Sequence, residues 1–194
     1  MRRTITLTLI AAFVASLPAW AAQHEGFSPE KIQRAMMAAA MPGENHRYLA
    51  KMSGEFTYTA KAWVQPGASA LEWTGNRSAK MILGGRYLEE HIDGTFQGMP
   101  FEGMGLWAYD NMAKHYIYTW VDNMSTTVTQ ATGSRGESGW ELEGTHTVPG
   151  VGVENAFKTV LKTVDDDTFV FEWYEALPGR DEMFKMMEIT YKRK

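Results

Sequence analysis

Residues 101–122 read FEGMGLWAYDNMAKHYIYTWVD. Asp110-Asn111, near the middle, is hairpin-turn chemistry, because a short Asx side chain can bond the backbone just ahead of it. Beyond the turn, Tyr116, Tyr118, Trp120 and Asp122 alternate with Ile117, Thr119 and Val121. A period of two puts the first set on one face of a strand and the second on the other. Phe101 to Tyr109 supplies the preceding strand. Two strands joined by so short a turn are antiparallel neighbours.

The same pattern extends in both directions. Upstream, Phe56, Tyr58, Ala60 and Ala62 alternate with Glu55, Thr57, Thr59 and Lys61, followed by a turn at Gln65-Pro66-Gly67. Strand-like segments then run from Leu71 to Leu83 and from Arg86 to Ile92, with turns at Gly84-Gly85 and Asp93-Gly94. Downstream come Thr126 to Thr132, Trp140 to Val148, Val153 to Val164, Phe169 to Ala176 and Met183 to Tyr191. Asp165-Asp166-Asp167 and Pro178-Gly179-Arg180 separate the last of these. The chain is therefore all-β, with about ten strands in a meander, and closing such a sheet removes both of its exposed edges. A closed antiparallel up-and-down β-barrel is predicted, with a two-sheet sandwich as the alternative.

Ahead of the strands the pattern changes. Arg2 and Arg3 precede an uncharged apolar run from Ile5 to Leu17, then Pro18 and the small-x-small site Ala19-Trp20-Ala21. This is the grammar of a Sec-type signal peptide, and the run is too short to span a bilayer. Export to the periplasm or beyond is expected, with no integral membrane association after cleavage. Ser28, Pro29 and Glu30 then open a short helix carrying Ile32, Ala35, Met36 and Ala39, which Pro42-Gly43 stops. A second helix is expected from Glu44 to Met52, both helices suiting the end of a barrel. The expected layout is signal peptide 1–21, helical segment 22–52 and barrel 53–194.

The formal net charge is −4, and it becomes more acidic once Arg2 and Arg3 are removed. With no basic run except Lys192-Arg193-Lys194, nucleic acid is a poor partner. There is no cysteine. The signatures G-x-S-x-G and H-E-x-x-H are absent, so no catalytic residue is assigned. His24, His46, His91, His115 and His146 show no ligand spacing, and neither a metal nor a cofactor is expected. The mid-strand carboxylates Glu89, Glu90, Glu141, Glu143, Glu172 and Glu188 offer many acid/base pairs without selecting one.

Two features point to a binding site. If the stripe Tyr116, Tyr118, Trp120, Asp122 faces inward, its rings and terminal carboxylate can clamp a ligand; the same rings could instead fill a solid core. Arg86, beside Leu88 and Ile92 in strand register, would need a carboxylate partner and can hold an anion, or it forms a salt bridge at the barrel end. The 13 methionines suit an adaptable lining and an ordinary core equally.

The ordered motifs Gly84-Gly85-Arg86-Tyr87-Leu88, Phe101-Glu102-Gly103, Tyr109-Asp110, Tyr116 and Trp120-Val121-Asp122 resemble the bacterial family known as domain of unknown function 1579. The Leu49 to Phe56 lead-in, the Pro66-Gly67 turn and the ending Met187 to Lys194 are also similar. The chain departs from that pattern at Ala108, where the family usually has Gly, and at Phe56, where it often has Trp. The resemblance implies a calycin-like barrel, akin to lipocalins and fatty-acid-binding proteins, and no transferable activity. Its recurrent positions correspond to Gly85, Arg86, Phe101, Gly103, Tyr109, Asp110, Trp120 and Asp122.

The leading expectation is therefore an exported protein that binds a small apolar or amphipathic ligand inside a barrel, through Arg86, Tyr109, Tyr116, Tyr118, Trp120 and Asp122. A structural or protein-interaction module of the cell envelope is the first alternative. An enzyme with a polar site inside the barrel is the second.

Overall fold

A computed structural model describes residues 28–148, 150–176 and 182–194. The expected signal peptide and the Pro178-Gly179-Arg180 break lie outside these residues. Helix α1 (Pro29–Ala40) is capped by Ser28, whose side chain accepts a hydrogen bond from the Lys31 N–H at 3.2 Å. It belongs to a unit separate from residues 42–194. The second helix, α2 (Glu44–Ala50), belongs with the strands.

Ten strands follow: β1 (Gly54–Ala62), β2 (Leu71–Ile82), β3 (Tyr87–Phe96), β4 (Met99–Asp110), β5 (His115–Asp122), β6 (Thr129–Arg135), β7 (Gly139–Thr147), β8 (Glu154–Thr163), β9 (Thr168–Ala176) and β10 (Met183–Arg193). Each pairs antiparallel with its sequence neighbours, and β1 also pairs with β10, closing the barrel. The fold class is as the alternation predicts. A meander sends its turns to alternate ends. The turns after β2, β4, β6 and β8 share one end with α2, and the last residues of β1, β3, β5, β7 and β9 mark the other, here called the mouth.

Helix α2 stoppers its end. Leu49 and Met52 are fully buried against the strands, and the Tyr116 hydroxyl donates to Asn45 Oδ1 at 2.9 Å. The guanidinium of Arg135 lies over the Tyr48 ring. Two further arginines hold the carbonyls just beyond the helix: Arg77 Nη1 donates to Met52 O at 2.9 Å, and Arg193 Nη1 and Nη2 donate to Ser53 O and Lys51 O. Helix ends leave such carbonyls without intrahelical partners, and cations there also oppose the helix dipole. Around the stopper the interior is solid, with Phe56, Leu88, Tyr116, Trp140 and Leu142 buried to within 2 %.

One expected turn is absent. Asp93-Gly94 continues β3, and the chain reverses at Gln97-Gly98, both at positive φ, which is the geometry of a tight two-residue hairpin loop. Gly94 is a glycine for a different reason. It pairs with Gly75 across the sheet, and a Cβ there would lie 2.5 Å from the Tyr58 hydroxyl and 2.8 Å from Thr74 O. The bare backbone of both glycines makes room for the Tyr58 ring. Arg86 likewise belongs to the β2–β3 turn, because the positive φ of Leu83, Gly84 and Gly85 carries the reversal to the edge of Tyr87. Strand β6 begins at Thr129 rather than Thr126.

Gly94→Ala is expected to destabilise the barrel by about 1–3 kcal/mol in denaturant unfolding, through overpacking against Tyr58. A second expectation concerns His46, whose Nδ1 accepts the Gly43 N–H at 3.0 Å and whose ring meets Tyr109 edge-on. Burial, with Arg86 adding to it, lowers its pKa from 6.5. The unfolded chain then takes up a proton that the folded chain refuses, so stability falls as pH drops below 6.5. Melting temperatures of the wild type should fall from pH 7 toward pH 5, and His46→Asn should remove part of that fall.

Candidate functional site: a cavity in the barrel

Strand β4 turns Phe101, Gly103, Gly105, Trp107 and Tyr109 inward, against the β5 stripe. The glycines explain how three large rings fit side by side. A Cβ on Gly103 would lie 2.2 Å from the Trp120 ring, and one on Gly105 would lie 2.4 Å from Glu90 Oε1 and 2.9 Å from the Tyr118 ring. Trp120 and Tyr118 therefore lean over bare backbone toward the mouth half of the barrel. Trp107 packs on Tyr118 with ring centroids 4.3 Å apart, and Trp120 stacks near Phe101. The facing wall carries Phe169, Phe171 and Trp173 from β9 with Ile189 and Tyr191 from β10.

These walls enclose a cavity of about 380 Å³ that runs from Met52 on the stopper to Phe96, Phe101 and Met124 near the mouth. Sites for small molecules typically measure about 300–1,000 Å³ and combine an apolar lining with a few placed polar groups. The lining here is dominated by aromatic and aliphatic side chains.

The polar groups gather on the floor. Arg77 Nε and Glu90 Oε2 form an ion pair at 2.6 Å, both side chains within about 5 % of complete burial. Arg77 faces Ile92 across the β2–β3 ladder, and Glu90 faces Ala79, so the two charges are diagonal neighbours on the inner face. Glu90 Oε1 also accepts from Trp107 Nε1 at 3.2 Å and from the Tyr118 hydroxyl at 2.9 Å. Both oxygens of the carboxylate thus have donors, as a buried charge requires. The guanidinium lies over the rings of Phe56 and Tyr191. Burial, reinforced by the Glu90 charge, pushes the phenol pKa values of Tyr118 and Tyr191 well up, so both stay protonated and able to donate.

Nearer the mouth, Trp120 Nε1 donates to Asp122 Oδ2 at 2.8 Å, and Asp122 Oδ1 accepts from the N–H groups of Met124 and Ser125. On the far wall Trp173 donates to Glu175, with His146 Nε2 at 3.2 Å from the same carboxylate. Among the described residues no three His, Asp or Glu side chains converge as a metal set. No helix among them is long and apolar enough to cross a membrane.

The model of the family "Protein of unknown function (DUF1579)" matches residues 41–193. This chain belongs to that family. No curated protein sequence matches the DUF1579 chain. Its barrel is similar to the structure titled "Crystal Structure of Rv2717c from M. tuberculosis", with TM-score 0.57 and 12% identity over 79% of this chain and 99% of that one. At that identity the likeness concerns the fold alone. A redesigned β-barrel, b11L5F_LGL, matches at TM-score 0.40 and 13% identity over 76% of this chain and 96% of that one.

Within the DUF1579 barrel the residues singled out from sequence divide into two groups. Tyr118, Trp120 and Asp122 line the cavity. Tyr109 and Tyr116 lie at the stoppered end, where Tyr109 meets His46 and Tyr116 bonds Asn45. Burial raises the Tyr116 phenol to about 12. Arg86 is at the same end, donating to Leu83 O at 3.0 Å and not lining the cavity. Of the six mid-strand carboxylates, Glu90 turns inward, whereas Glu172 on the outer face is bridged by Lys162 and Lys185. Arg77 is not among the residues singled out from sequence, yet the alternation carries its signal: it shares a register with Trp73, Ala79 and Met81, where a charge must find a partner.

Arg77→Met is expected to cost about 3–5 kcal/mol in urea unfolding, because Glu90 is left buried and unpaired. Adding Glu90→Gln, which keeps an acceptor for Trp107 and Tyr118, should recover most of that loss. An additive double mutant would count against the pairing.

Proposed function

We propose that this DUF1579 protein is an exported binding protein that holds one small, largely apolar molecule inside its barrel, with a polar end of that molecule on the Arg77 floor. The observation that carries this reading is a cavity of about 380 Å³ with an aromatic lining and its hydrogen-bonding groups concentrated at one end. Such a chamber orients an amphipathic guest: the rings take the body, and the donors on the floor take the head. A purely structural module would gain more from a filled interior, since a hollow forfeits packing contacts on its walls. Export is supported by the basic start, apolar run and Ala19-Trp20-Ala21 site of the N-terminus. The acidic balance favours small-molecule over nucleic-acid recognition.

Native mass spectrometry of the mature protein, purified from its own cell envelope, tests the proposal against the denatured mass. A bound mass that disappears on denaturation is the expected result. Trp120→Ala should then weaken binding of that molecule by at least about tenfold, well beyond what its loss of stability in urea unfolding accounts for. No bound mass, together with no thermal shift across lipid and metabolite panels, would overturn the proposal.

A further inference from the structure

The charge of the chamber, more than its shape, limits what it can hold. Among the described lining residues Arg77 is the single cation, and Glu90 neutralises it at 2.6 Å. The remaining charged lining residue is Asp122. The chamber as a whole is therefore anionic, and its floor is neutral.

The floor nevertheless keeps donors. Arg77 uses Nε for Glu90 and Nη1 for Met52 O, which leaves Nη2 bonded to no described group. The Tyr191 phenol stands beside the same guanidinium, with its ring 5.3 Å from the cation centre, and its hydroxyl is bonded to no described group either. Both belong to residues that line the cavity. Glu90, by contrast, is engaged at both oxygens by Arg77, Trp107 and Tyr118 and offers a guest little.

We infer that the chamber selects a guest whose polar end is a neutral hydrogen-bond acceptor, a ketone, ester or amide carbonyl, and rejects the carboxylate of the same shape. This rests on the binding function proposed above. A carbonyl oxygen receives N–H from Arg77 and O–H from Tyr191 and brings no charge. A carboxylate finds the same donors, but its charge stays uncompensated, since the counter-charge of Arg77 is already taken and Asp122 repels it. An unpaired charge in a dry site is far more costly than a neutral acceptor.

The test uses two fluorescent dyes on the full mature chain: a dimethylaminonaphthalene bearing a propionyl ketone, and the same naphthalene bearing a carboxylate instead. Both report transfer into an apolar site by a change in emission. The ketone should bind at least about tenfold more tightly than the carboxylate. In Glu90→Gln the counter-charge is gone, and the preference should collapse or reverse. Tyr191→Phe, which leaves the ion pair intact, should weaken binding of the ketone several-fold; unchanged ketone binding by this variant would count against the inference. Equal or tighter binding of the carboxylate by the wild type would overturn the inference while leaving the binding function standing. Failure of both dyes would also overturn it, and native mass spectrometry would then judge the binding function separately.

Discussion

The ion pair between Arg77 and Glu90 is the joint on which the interior turns. Two charges this deep repay their desolvation only when every polar atom around them is engaged. Here the carboxylate gathers Trp107 and Tyr118 as well as Arg77, and the guanidinium reaches on to Met52 O beyond the helix. One connected network thus fixes ring orientations on β4 and β5 and anchors the stopper to β2. It also marks a boundary. Below it the barrel is filled by Phe56, Leu88, Tyr116 and Trp140; above it the rings line a space instead of filling one.

Glycine placement makes that arrangement possible. Tyr58 needs bare backbone at Gly75 and Gly94, while Trp120, Tyr118 and Glu90 need it at Gly103 and Gly105. Large and absent side chains alternate around the wall, so large rings coexist in a narrow barrel without closing its centre. A core of middling side chains would reach the same average packing and leave no chamber.

Period-two alternation made the fold legible along most of the chain, because antiparallel strands with one buried face write their orientation into sequence. It failed at Asp93-Gly94, where the Asp-Gly signal of a tight turn coincided with a glycine required by a ring from β1. The direction of the β5 stripe was hidden, since Ile117 and Val121 are as apolar as a core face demands. Only the bare positions of β4 settle it. Arg77 was visible as a charge in an apolar register, but Arg86 drew attention by standing next to Gly84-Gly85. What no local pattern encodes is the contact from Arg77 to Met52, which spans 25 residues and exists only once the helix has folded back.

The seam between β1 and β10 has its own consequence. It joins the first strand to the last, and the Arg193 bond that locks it to Ser53 spans 140 residues. Every other strand pair links sequence neighbours and can form as a hairpin while the chain lengthens. The seam requires β10 to reach back to β1, so closure follows the hairpins and carries the greatest loop entropy. Until that moment two long strand edges are exposed to neighbouring chains. Vulnerability to aggregation therefore lasts until β10 docks on β1, and that one long-range contact ends it at both edges together.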